Sequence, residues 1–341
     1  MSSGAGVLAL HDGHIPARQA GSGTSRLLTL ALQHEAAREG GITLIDEIEH
    51  GLEPHRLRRL LNVLLTGQRL DEQEQQLEEP TQSSNQTWAT THAAIAIGEL
   101  QPERLAIVRS EDGNTTIQVP NSALRPLLRK HPEAFLAHKI VVCEGKTELG
   151  FCRALDNYWA KSGKSLAYVG AALVDGNGSE APKTSQYFRV LGYDTALFGD
   201  SDTPLNPDRH SLETSGVGVF LWDGQCCIEE RMSIDLPWEG FLEMVQMAST
   251  IKDSTTVRGA VAALLPSSSR VSNDPSEWRS AGVTEDVLRK AFGRAAHDGG
   301  WFKRVDLSEP LGQLVIKHRD AIGMKPLGVG IRTLRNWIFP G

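Results

Sequence analysis

The chain has 341 residues, a 40% apolar fraction, a 23% charged fraction and a formal net charge of −7. That length gives room for two or three domains, and that balance excludes a disordered or collagen-like chain. The acidic total excludes a histone-like polycation, so contact with nucleic acid would have to come from local clusters of Lys and Arg.

No signal peptide and no apolar run long enough to span a bilayer can be read, which predicts a cytoplasmic protein with no membrane partner. The four cysteines, Cys143, Cys152, Cys226 and Cys227, form no CxxC pair. They are expected to be small buried hydrophobes rather than zinc ligands.

A first domain is expected over residues 1–135. Gly21-Ser22-Gly23-Thr24 reads as a polar turn before a helix over 25–38, whose apolar residues include Leu27, Leu28, Leu30 and Leu32. Amides at such a helix start can meet an anion. Residues 41–47 form an apolar strand that stops at Asp46 and Glu47, which read alone could simply cap the next helix. An arginine-rich amphipathic stretch over 55–65 follows, then a polar loop or exposed helix end over 71–86. A short strand over 87–92 has His92 at its exit.

A second domain is expected over 136–250. Residues 138–143 form a β-branched strand that ends at Glu144, and a helix follows over 147–159. Residues 172–174 are a strand leading to Asp175-Gly176-Asn177-Gly178. Residues 195–199 are another, leading to Asp200-Ser201-Asp202. Strands alternating with helices imply a parallel sheet, whose ligands sit beyond the carboxyl ends of the strands. Glu148 lies one helical turn after Glu144 and can face the same space.

A further strand over 216–222 precedes Glu229 and Glu230, and helices are expected over 236–247 and 283–296, the latter with Thr284 as N-cap. A serine-rich connection spans 267–276. The third region, 251–341, is read as mainly helical and carries Trp301-Phe302-Lys303-Arg304. Read alone, Lys303 is a surface lysine lying over two aromatic rings.

The first segment resembles the second half of an ABC-type ATPase head. Residues 21–25 match its signature loop, 44–47 its Walker B strand, 51–54 its D-loop and His92 its switch histidine. The resemblance implies that Asp46 helps hold Mg²⁺, that Glu47 positions the attacking water, and that Ser22 and His92 belong to the nucleotide site. No G-x-x-x-x-G-K-[ST] phosphate loop precedes the Walker B strand. Gly145-Lys146-Thr147 is a half-match with Ile140 where a glycine is required. The chain is therefore expected to start midway through the head, and to use ATP only if the other half is supplied.

The second segment looks like a Toprim domain, with Glu144 after its first strand and Asp200-x-Asp202 after a later one. The order of ATPase fragment, Toprim-like segment and helical region with Trp-Phe-Lys is similar to the OLD (overcoming lysogenization defect) nucleases, a family linked to phage defence. The implied fold class is α/β: a parallel-sheet Toprim domain with a helical C-terminal region, preceded by half an ABC-type head.

The implied function is a DNA endonuclease or nickase using two Mg²⁺ or Mn²⁺ ions, and the implied assembly is a homodimer. Its ligands would be Glu144, Glu148, Asp200, Asp202 and Glu229, with Glu230 an open rival to Glu229. Glu144 and Lys303 would be catalytic. Arg125, Arg129, Lys130, Lys139, Lys146, Lys183, Arg304 and Arg335 are candidates for the DNA border. The alternative is a non-catalytic DNA-binding or assembly module. A topoisomerase would need a nucleophilic tyrosine on a separate domain, and a primase of this group usually carries a zinc module, neither of which is legible.

Overall fold

The protein is described by a computed structural model over residues 11–12, 15–16, 19–37, 41–66 and 86–340. Residues 71–85 of the expected polar loop lie outside the described residues. The chain divides into two compact units, Met1–Ile107 with Val119–Leu136, and Val108–Gln118 with Ala137–Gly341.

In the first unit β1 (His11–Asp12) pairs with β2 (Ile15–Pro16), followed by α1 (Ser22–Ala36), β3 (Ile42–Ile45), α2 (Pro54–Thr66), β4 (Gln86–Ala89), α3 (Ala94–Glu99) and a late α4 (Arg125–Lys130). Strands β3 and β4 are parallel, with Leu44 opposite Trp88. Helix α2 carries Leu57, Leu60, Leu61 and Leu64 at the spacing of one helical face. That stripe packs in a core with Leu30, Ile45, Ile48 and Ala96.

Helix α1 begins at Ser22 rather than at Ser25, because the expected turn is absorbed as its first turn. The Ser25 amide donates to the Gly21 carbonyl at 3.0 Å. Gly23 lies against the Gly51 carbonyl, where any side chain would clash.

In the second unit β5 (Ile107–Glu111) pairs with β6 (Asn114–Gln118), Ile107 itself falling in the first unit. Then come β7 (Lys139–Cys143), α5 (Lys146–Ala160), β8 (Ala171–Asp175), α6 (Ala181–Val190), β9 (Asp194–Gly199), α7 (Arg209–Thr214) and β10 (Gly218–Leu221). The helices α8 (Ile228–Asp235), α9 (Trp238–Lys252), α10 (Ser254–Ala263), α11 (Glu285–Asp298), α12 (Val305–Lys317), α13 (Arg319–Ile322) and α14 (Pro326–Ile338) follow. Residues 251–341 pack in the same unit as the sheet.

The four long strands are all parallel, in the order β10-β9-β7-β8. Residues 140–143 of β7 are fully buried, as expected for a parallel strand covered on both faces, which is why it reads as an unbroken apolar run. Cys143 stands opposite Asp175 on one side and Phe198 on the other. The chain leaves β7 toward β8, then crosses back to β9. The switch point of the sheet therefore lies between β7 and β9, where an open α/β sheet has its natural crevice.

Glycines let the helices close on the sheet. A Cβ on Gly150 of α5 would sit 2.6 Å from the Val305 carbonyl, and one on Gly312 of α12 would sit 2.8 Å from that of Phe151. Overpacking of this kind destabilises, so Gly150→Ala is expected to cost about 1–3 kcal/mol, read from urea unfolding. Wild-type stability would mean that α5 and α12 do not meet there. Helix α11 starts at its expected cap, Thr284, whose hydroxyl accepts the Val287 amide at 3.4 Å. Among the described residues no helix is long and apolar enough to cross a membrane.

Candidate metal centre

The register of the sheet brings Glu144, Asp175 and Asp200 out at one edge. The Glu144 amide donates to the Phe198 carbonyl at 2.8 Å, and its carboxylate Oε2 accepts the Asp200 amide at 2.7 Å. This clasp depends on Gly199, where a Cβ would meet the same Oε2 at 2.5 Å. Glu148, 4% exposed, accepts the Gly145 amide at the start of α5 at 2.9 Å. Asp200 Oδ1 accepts the Ile228 amide at 2.8 Å, which holds the start of α8 against β9. Glu229 is therefore carried to the same place.

These residues line a cleft of ≈ 380 Å³ that includes Glu144, Glu148, Asp175, Asp200, Glu229, Lys146, His297 and Lys303. Glu229 is 1% exposed and neither of its oxygens accepts a well-formed hydrogen bond, the imidazole of His297 approaching Oε2 only to 3.5 Å. A buried carboxylate left this way is costly unless a cation faces it. Glu230 does not line the cleft, because its carboxylate turns back to accept the Cys227 amide at 3.3 Å. Asp202 stands at the margin, with Oδ2 3.5 Å from Arg294 Nη1 and 4.0 Å from His297 Nε2.

Burial and mutual repulsion push Glu144, Glu148 and Asp200 toward the neutral form. Glu148 is pushed from 4.5 up to about 8, first by burial and then by the Glu229 charge. Asp200 is held well above the usual carboxylate range by burial and then by Glu148. Glu144 is raised by burial, partly offset by the Asp200 amide. His297 is raised chiefly by its contact with Glu229.

A carboxyl with a higher pKa in the folded chain binds more protons when folded, so stability falls as pH rises between its two values. A histidine raised in the folded chain likewise contributes stability at low pH that is lost as pH rises. Metal-free melting temperature is therefore expected to fall as pH rises from 4.5 to about 8, and Mg²⁺ to flatten that fall. A metal-free melting temperature that rises across this interval in thermal scans would contradict the electrostatics described.

Lys303 reaches the cleft from a loop pinned on both sides. Trp301 and Phe302 are buried in the core, and the Thr147 hydroxyl donates to the Phe302 carbonyl at 3.4 Å. The aromatic rings are thus anchors, and the lysine is left exposed over the acids. Of the eight basic residues expected at a DNA border, Lys146 lines the cleft. Lys139 pairs with Asp194, Lys183 with Glu180 and Arg304 with Asp306, while Arg335 lines a separate apolar groove. Arg125, Arg129 and Lys130 belong to the other unit.

Two cleft residues escaped the sequence reading. Asp175 was visible as a strand end, and its Oδ1 accepts the Asn177 amide at 3.0 Å in a turn where Asn177 and Gly178 take positive φ. His297, far along the chain on α11, left no local signal.

In the first unit the strand-end acids are also held in place. Asp46 Oδ1 accepts the Thr90 hydroxyl at 2.6 Å, and Thr90 Oγ1 in turn accepts the Glu47 amide at 2.8 Å. Arg26 of α1 donates to the Asp46 carbonyl at 2.6 Å, and Ser22 abuts Gly51. Glu49 accepts the His92 amide at 2.6 Å. Asp46, Glu47, Ser22 and His92 are all exposed around the ends of β3 and β4. Helix α2 begins only at Pro54, so Asp46 and Glu47 are not its caps.

Residues 7–94 match the family model described as an AAA domain, putative AbiEii toxin, Type IV TA system. The N-terminal part is thus similar to AAA-type, ABC-like ATPase domains, a class that uses Mg²⁺ with ATP. No curated protein matches the chain.

Proposed function

We propose that the second unit is a Toprim-type phosphodiester hydrolase acting on DNA with divalent metal, in an OLD-like chain whose first unit belongs to the ATPase class. The observation that supports this reading best is the convergence of Glu144, Glu148, Asp200 and Glu229 at the switch point, with Glu229 buried and met by no polar group closer than His297 at 3.5 Å. The donor set is all oxygen, which suits Mg²⁺ or Mn²⁺. Glu144, Glu148, Asp200 and Glu229 would hold two ions, with Asp202 joining from the margin.

Bound ions of this kind supply an activated water and neutralise charge on the phosphate. Glu144 has a second task, since its Asp200 clasp fixes the spacing of the two strand ends. Lys303 stands free to meet a phosphate oxygen as negative charge builds on it. Lys146 offers a second cationic contact for the backbone of the nucleic acid. The working unit in this reading is a homodimer.

The test is conversion of supercoiled plasmid to nicked or linear forms by the full chain with Mg²⁺ or Mn²⁺. Cleavage that needs the metal and falls by about 100-fold or more in Asp200→Asn is expected. Equal cleavage by that variant would remove the reading.

A further inference from the structure

Two donors that hard-metal chemistry does not use stand at this place, the imidazole of His297 in the cleft lining and the sulfur of Cys227 buried beside it. Cys227 Sγ, a Glu229 oxygen and a ring nitrogen of His297 lie within 4.8 Å of one another. Donors around a tetrahedral zinc ion sit about 2.0–2.3 Å from it, hence about 3.3–3.8 Å from each other. Small side-chain movements span that difference. His297 Nδ1 is already 3.5 Å from Glu229 Oε2, while Nε2 faces Asp202 Oδ2 at 4.0 Å. A ring with one nitrogen toward a ligand position and the other toward an outer carboxylate is the arrangement that orients metal-binding histidines.

The backbone builds this group directly. Cys227 is the N-cap of α8 and Glu229 lies in its first turn. Gly293 of α11 lies on the Glu230 backbone, where a Cβ would come within 2.8 Å of the amide nitrogen. His297, one turn farther along the same face, is thereby brought over Glu229. A second observation points to a ligand here: Glu229 is 1% exposed, its Oε1 has no hydrogen-bond partner, and its Oε2 has only the long 3.5 Å contact with His297.

We propose that Cys227, Glu229 and His297 form a site for a thiophilic divalent transition ion of the Zn²⁺ class, whose binding withdraws Glu229 from the oxygen-ligand centre and inhibits cleavage. The binding itself stands apart from the hydrolase reading, and only the inhibition rests on it. On binding, the S–H bond breaks, the sulfur–metal bond forms and the proton leaves to solvent. Mg²⁺ does not compete for sulfur, being a hard ion that keeps oxygen ligands.

The test is titration of the full chain with Co²⁺ in excess Mg²⁺, read by absorption. A thiolate-to-cobalt charge-transfer band that saturates and is displaced by Zn²⁺ is expected. Cys227→Ser should abolish the band and weaken Co²⁺ binding by at least about 100-fold, beyond what loss of an outer-sphere contact brings. Lys303→Ala should keep it. Absence of the band in the wild-type chain, which needs no variant to fold, or its persistence in Cys227→Ser, overturns the proposal.

Plasmid cleavage with Mn²⁺, repeated with added Zn²⁺, separates the two readings. A cobalt band without any Mn²⁺-supported cleavage leaves the site standing and sinks the hydrolase. Cleavage insensitive to Zn²⁺ despite the band refutes the inhibitory part.

Discussion

Lys303→Ala is expected to leave the chain folded and to lower metal-dependent plasmid cleavage by about 100- to 1,000-fold, the usual cost of removing one preorganised charge partner. The loop does not need the ammonium group to hold its place. Trp301 and Phe302 are buried beside it, the Trp301 amide donates to the Ala296 carbonyl at 3.0 Å, and Ser308 ties α12 to the Lys146 carbonyl at 3.0 Å. Thermal melts should therefore superimpose on wild type while cleavage time courses collapse. If Lys303 were a solvated lysine lying over aromatic rings, cleavage would stay near the wild-type rate.

Glu148→Gln separates stability from activity in the opposite sense. Glutamine keeps an oxygen to accept the Gly145 amide, so the start of α5 is retained. It removes a charge that burial and Glu229 oppose so strongly that the group titrates near 8. The metal-free variant should melt higher than wild type above neutral pH, with a flatter dependence on pH. The same change removes an oxygen anion from the cleft, so stabilisation by Mg²⁺ and plasmid cleavage should both be lost. A variant that melts lower at high pH, or that cleaves normally, would show that Glu148 is a packed acid and not part of a cation site.

The sheet was legible because its strands are parallel and covered on both faces. Such strands read as unbroken apolar runs, and the residue after each run marks the crevice, which gave Glu144 and Asp200. Glu229 and Glu230 could not be told apart because both lie in the first turn of α8. In the fold Glu229 lines the cleft while Glu230 turns back to accept the Cys227 amide, a contact with no sequence signature.

His297 was hidden for a related reason. Its place depends on Gly293 letting α11 lie on α8, a tertiary contact between distant segments. Cys227 is buried, as its sequence context predicts, and its nearness to Glu229 of the same turn and His297 of another helix has no spacing signature. Read alone, Lys303 is a surface lysine lying over Trp301 and Phe302, and in the fold both rings are buried as core anchors. In the first unit the exits of β3 and β4 were readable, whereas the start of α1 was misjudged because its glycine looked like a turn and serves close packing.

The most direct test of the central claim is a crystal of the full chain soaked in Mn²⁺ and recorded at the manganese absorption edge. Two anomalous peaks in the cleft, touching carboxylates among Glu144, Glu148, Asp200, Asp202 and Glu229, are the expected result. No peak there under conditions that support cleavage would contradict the account.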